Sequence, residues 1–132
     1  MKKLGFTLIE LLVVISIIGI LVAVAVASYT GAQIKARDTR RRSDMKAVQS
    51  TMEQYYATTG VGNYAALGTV FPTGTSPSDP KPSWTQYSVN PASPTTTYCA
   101  CAKLEETGKG NASNASCTWT GTLNYFCVQN QQ

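Results

Sequence analysis

Residues 6–34 read FTLIELLVVISIIGILVAVAVASYTGAQI, and the single charge among them is Glu10. From Leu11 to Ala27 the run is apolar except for Ser16 and Gly19. With Phe6, Leu8 and Ile9 it reaches the ~20 residues that cross a hydrocarbon layer as a helix. Working outward, residues 32–57 contain no proline, and Met45, Val48, Met52 and Tyr55 or Tyr56 recur at the three- and four-residue spacing of one helical face. Thr58-Thr59-Gly60 predicts the stop, with Gly60 in the left-handed turn beyond the helix end. One unbroken helix from Phe6 to about Thr58 would be roughly 80 Å long. A chain of 132 residues has no single core able to bury that. The first half therefore needs lipid or copies of itself, while the Met45–Tyr56 stripe packs on the remainder of the chain. Gly19 and Gly31 are its weak points, each costing about 1 kcal/mol relative to alanine.

The composition is that of a folded protein: 43% hydrophobic, 14% charged, net charge +4, and too weakly basic for a dedicated nucleic-acid binder. There is no histidine, so the Ser-His-Asp and Cys-His nucleophile pairs and the imidazole metal ligand are all missing. An enzyme is not expected, and neither is a cofactor or a resident metal. Glu105 and Glu106 are adjacent and on a strand would face opposite ways, which makes no acid/base pair.

The N-terminus admits three readings. A secretory signal would use Lys2 and Lys3 as its basic start and Ala25-Val26-Ala27 before Ser28 as its cleavage site. The apolar run is too long for that, and Glu10 sits where a signal core wants only apolar groups. The others are a plain transmembrane anchor and an anchor whose short leader, Met1 to Gly5, is removed to free Phe6. Lys35, Arg37, Arg40, Arg41, Arg42 and Lys46 follow the run against only Asp38 and Asp44, which by the positive-inside rule points the C-terminal side to the cytoplasm. Four cysteines within 29 residues point it to an oxidising exterior, and they carry more weight. The basic stretch reads first as a solvated neck, with Asp38 and Arg41 or Arg42 adding a few tenths of a kcal/mol. An intersubunit surface or a DNA track on those six cations is the sharper alternative, though nucleic acid is not specifically indicated.

Beyond Val61 turn and strand formers take over. Phe71-Pro72-Thr73-Gly74 and residues 77–82 are connecting loop. Thr85–Val89, Thr96–Lys103, Cys117–Thr120 and Tyr125–Gln129 read as strands of a sheet with one covered face. The fold class is α+β: a long N-terminal helix packed by its second half on a small antiparallel sheet. Cys99 and Cys101 point to the same face of a strand and suit each other badly, so each should pair with Cys117 or Cys127, leaving two connectivities worth roughly 3 kcal/mol per bridge. A zinc site is the rival, but C-x-C followed by two single cysteines lacks paired knuckles. The two sequons at Asn111 and Asn114 read as a polar turn.

Gly5-Phe6-Thr7-Leu8-Ile9-Glu10, after Lys2-Lys3-Leu4 and before the apolar helix, resembles the N-terminus of bacterial type IV pilins and of type II secretion and competence pseudopilins. The resemblance runs from Met1 to about Gly60 and is architectural afterwards. It implies a leader at 1–5 removed by a prepilin peptidase, with cleavage between Gly5 and Phe6 and N-methylation of Phe6. It implies a filament-core helix at 6–34, its amphipathic and basic continuation at 35–60, and a disulfide-bonded head at 61–132. Ala27 stands where the family often has proline. An acid near hydrocarbon costs a few kcal/mol unless paired. Cleavage supplies a partner, since the Phe6 ammonium can meet Glu10 of its own or a neighbouring helix with an attraction of about 4 kcal/mol at ~4 Å. The expected function is a pilus subunit that polymerises with copies of itself, held in the cytoplasmic membrane before assembly and extracellular afterwards, with prepilin peptidase and an assembly platform as partners. The alternatives are a pseudopilin and, in another class, an anchored binding domain that does not polymerise.

Overall fold

The computed structural model describes residues 5–71, 76–92 and 96–132. The expectations for the leader before Gly5 and for Pro72-Thr73-Gly74 lie outside the described residues. Helix α1 spans Leu8–Thr58. It runs through Gly19 and Gly31 without interruption. Within the apolar part the hydroxyls of Ser16, Ser28 and Thr30 donate to the carbonyls of Leu12, Val24 and Val26, so these polar groups ask nothing of an apolar surrounding. The chain divides into two compact units, one ending at Gln33 and the other Ile34–Gln132.

The helix ends where expected, but by a different device. The amides of Thr59 and Gly60 both donate to the Tyr55 carbonyl, at 3.0 and 2.8 Å. The left-handed residues are Val61 (φ 47°) and Gly62 (φ 82°), not Gly60. Gly60 is required for a different reason: a Cβ there would collide with the Asn63 carbonyl and crowd the Tyr55 ring.

In the second unit a short helix, α2 (Leu67–Val70), turns Val70 into the core. Strands β1 (Ser88–Asn90), β2 (Cys99–Lys103) and β3 (Tyr125–Gln129) form an antiparallel sheet in that order. Two of the expected strands are thus shorter than read, and Cys117–Thr120 is not a strand. Cys117 has φ 54°, a left-handed turn imposed by its bridge to Cys99 that overrides the local β preference.

Met45, Val48 and Met52, all fully buried, pack with Tyr64, Val70, Tyr98, Ala100, Ala102 and Val128. The alternate residues of β2, Cys99 and Cys101, face the other way into a second cluster with Ala112 and Cys127. The expectation of one covered face is therefore wrong for β2, which is buried on both because the disulfide-tied loop around 111–117 covers its back. The outer edge of β3 is closed by Asn111, whose side chain takes the Cys127 amide at 2.7 Å and donates to its carbonyl at 2.9 Å, imitating a neighbouring strand.

Candidate functional site

The start of α1 is built by four residues. Thr7 donates to Glu10 Oε2 through its amide at 2.8 Å and its hydroxyl at 2.6 Å, and the Glu10 amide returns to Thr7 Oγ1 at 3.3 Å. This reciprocal pair is a capping box, the pattern Thr7-Leu8-Ile9-Glu10 of threonine followed three residues later by glutamate. It is readable in the sequence and was not among the expectations above. Its consequence is that one carboxylate oxygen is satisfied within the chain, while Oε1 accepts nothing among the described residues. Phe6, 84% exposed, lies beside it, and Phe6, Ile9, Glu10, Val13 and Val14 line a shallow apolar groove. From Leu8 to Val26 the large apolar side chains are all exposed, so this unit has no partner of its own for them. The helix is long and apolar enough to cross a bilayer.

In the second unit the six cations at 35–46 part company. Arg41 is fully buried, which corrects the reading of a solvated neck and removes it from any DNA or intersubunit surface. Its Nε and Nη2 make a two-point contact with Asp79 at 2.7 and 2.8 Å. Its Nη1 reaches Asp38 at 2.7 Å and Glu105 at 2.8 Å. Arg37 grips both oxygens of Glu105 at 2.6 and 2.9 Å, and Lys81 approaches it at 3.4 Å. Three cations thus face three carboxylates, and Asp38 further accepts the amides of Glu105 and Glu106. Burial alone would lower the Arg41 pKa, but its hydrogen bonds to Asp79, Glu105 and Asp38 outweigh that and raise it. Hydrogen bonding to Arg37, with Arg41 and Lys81 in support and burial opposing, holds Glu105 down to about 2. The buried face of the helix is therefore longer than the apolar stripe Met45–Tyr56: Asp38 and Arg41 continue it as an ion-paired extension at the same three- and four-residue spacing.

The other four cations differ again. Arg42 donates to the Lys109 carbonyl and lies over the Phe126 ring at 5.2 Å. Lys35, Arg40 and Lys46 are exposed, with Arg40 3.9 Å from Asp44. Lower on the helix Glu53 accepts the hydroxyls of Tyr64 and Tyr98 and the Gln131 amide, tying the C-terminal residues to the helix. Burial first, then Glu53, pushes both phenols well above the ordinary tyrosine range. The cysteines pair as Cys99–Cys117 and Cys101–Cys127, one of the two connectivities left open by the sequence.

The decisive comparison concerns the first of these regions: residues 1–26 match the family model described as the prokaryotic N-terminal methylation motif. The chain carries a prepilin-type N-terminus. Similar proteins include the type IV major pilin protein PilA of Myxococcus xanthus, 34% identical over 53 residues, 40% of this chain and 24% of that protein. The type II secretion system core protein G of Dickeya chrysanthemi is 34% identical over 86 residues, 61% of this chain and 54% of its own. A fimbrial protein of Pseudomonas aeruginosa is 43% identical over 49 residues, 37% of this chain and 32% of that protein. The chain thus spans about half or less of the length of the curated relatives it matches. No solved structure matches. The prepilin-type segment coincides with the exposed apolar part of α1 and its capping box, and these relatives are a type IV major pilin, a type II secretion core protein and a fimbrial protein.

Proposed function

We propose that the chain is a structural subunit of a type IV pilus that polymerises through α1 into an extracellular filament. The observation that carries the reading is a prepilin-type segment on the first part of α1, where the large apolar side chains from Leu8 to Val26 all lie exposed and Glu10 is the one charge. In this reading a prepilin peptidase cuts between Gly5 and Phe6 and methylates Phe6. The capping box keeps Glu10 tolerable in the membrane before assembly, and its second oxygen receives the Phe6 ammonium of a neighbouring subunit, which sets the axial stagger. The two disulfides support a head on the extracytoplasmic side. Lys35, Arg40 and Lys46, the exposed cations of the stretch, are left for contacts between subunits.

A second reading, a pseudopilus of a secretion machine, has one observation in its favour. The Dickeya relative aligns over 86 residues, which is longer than α1 and so must reach into the head. Against it stands the shortage of oxygen ligands for a calcium loop of the kind some major pseudopilins carry. After Glu53 the carboxylates are Asp79, Glu105 and Glu106, and the first two are engaged by Arg41.

Mass spectrometry of filaments sheared from the cell surface tests the pilus reading. The subunit should be abundant and begin at N-methylated Phe6. A Glu10→Ala chain should keep both disulfides and yield no filaments. Mature chains beginning at Met1 or Ser28, or normal filaments from Glu10→Ala, overturn the proposal. A processed chain that stays in the membrane fraction, with loss of protein export on its deletion, selects the pseudopilus instead.

A further inference from the structure

The four cysteine sulfurs lie within 4.8 Å of one another. Of the four sulfur pairs across the two bridges, Cys99 to Cys101 is 3.4 Å and Cys101 to Cys117 is 3.9 Å. A tetrahedral zinc ion with four thiolates at about 2.3 Å has sulfur-to-sulfur edges of about 3.8 Å. Those two contacts approximate such edges, all four sulfurs already lie within 4.8 Å, and the main movement needed is the parting of the bonded pairs.

We propose that before its disulfides form, or when they are reduced, the head holds one zinc-class divalent ion on Cys99, Cys101, Cys117 and Cys127. The sequence spacing argues against such a site because it lacks paired knuckles. The fold supplies what the spacing does not: two ligands from β2, a third from β3 directly opposite Cys101, and the fourth from the loop that covers the back of the sheet. Cys117 sits in that loop, not in a strand, and is only partly buried, so no ladder hydrogen bonds hold it as its bond to Cys99 opens.

The reduced cluster also has reason to stay together before metal arrives. A thiol at each position has a carbonyl within reach: Ala115 at 3.9 Å from Cys99, Asn114 at 3.8 Å from Cys101 and 3.6 Å from Cys127, and Val128 at 3.9 Å from Cys117. The chemistry balances. A dithiol reductant gives two electrons and two protons to each bridge and leaves as its own disulfide. The ion then displaces the four thiol protons and forms four metal–sulfur bonds. Reoxidation by two disulfide equivalents takes four electrons from the thiolates, restores both bridges and releases the ion. The metal would staple the same three segments that the disulfides later join, so that the sheet is held together ahead of oxidation.

The test uses the full chain in detergent micelles, reduced with a dithiol that is then removed under argon, with a thiol count of four as the starting condition. Titration with Co2+ should give one ion per chain, with thiolate-to-metal charge-transfer bands and the visible bands of a tetrahedral site, all removed by one equivalent of Zn2+. The oxidised chain should take up none. Cys117→Ser should lose the tetrathiolate spectrum. If reduction alone melts the sheet, Zn2+ should restore the strand signal in circular dichroism. Four thiols with no uptake, an octahedral cobalt spectrum, Cys117→Ser binding as tightly as its parent, or a melted sheet that Zn2+ leaves melted would each overturn the proposal.

Discussion

Arg41 shows most clearly how one side chain can decide the packing of a helix on a head. Its planar fork meets Asp79 at two points and still has Nη1 for Asp38 and Glu105, a donor geometry that lysine cannot reproduce. Trp84 lies below it, with the guanidinium carbon 5.6 Å from the ring centroid. Removing the arginine leaves three carboxylates facing one another with only Arg37 and Lys81 nearby. An Arg41→Leu substitution should therefore cost about 3–5 kcal/mol, seen as a lowered melting temperature of the full chain in detergent. Arg41→Lys should recover only part of that. An Arg41→Leu chain as stable as its parent would show that the cluster contributes nothing. Half of this site could be read in the sequence, since Asp38 and Arg41 are three apart on a helix. Asp79 and Glu105 lie 38 and 64 positions from Arg41, and no local pattern joins residues that only the folded head brings together.

The elements repeat the division between local and distant causes. The extent of α1, the stripe at Met45, Val48 and Met52, and the final strand were legible because each rests on its own periodicity and on proline-free sequence. The left-handed turn was placed one residue early and Cys117–Thr120 was misread as a strand because contacts elsewhere decide both. At the helix end the Asn63 carbonyl occupies the space beside Gly60, and the left-handed step falls on Val61, a β-branched residue that is 85% exposed. Such a residue pays about 1–2 kcal/mol for that conformation, and asparagine pays less. Val61→Asn should accordingly raise stability by about 1 kcal/mol. Gly60→Ala should lower it, because backbone and not a yielding side chain is in the way. Chemical denaturation of the two variants checks both signs.

For the molecule as a whole, the anchoring of head on helix rests on carboxylates and should answer to acid. Helix residues Arg37 and Arg41 hold Glu105, and Arg41 also holds Asp79, so two distant head segments meet on one turn of α1. In the folded chain Glu105 titrates at about 2, against 4.5 ordinarily. Above pH 4.5 both folded and unfolded chains carry the charge, and the stabilisation is fully present. Between 4.5 and about 2 the unfolded chain takes up the proton first, so stability falls as pH falls. A drop from 4.5 to about 2, at about 1.4 kcal/mol per unit, is worth about 3 kcal/mol. The disulfides are indifferent to this range, and the phenols bound to Glu53 stay protonated through it. Thermal melts of the full chain from pH 6 to pH 2 should therefore show a steady loss of stability beginning near pH 4.5. Glu105→Gln should start lower and lose less over the same interval, since its neutral amide has no proton to take up. Equal slopes for the two chains would place the acid sensitivity elsewhere, and a parent whose stability rises toward pH 2 would reverse the sign of the cluster's contribution.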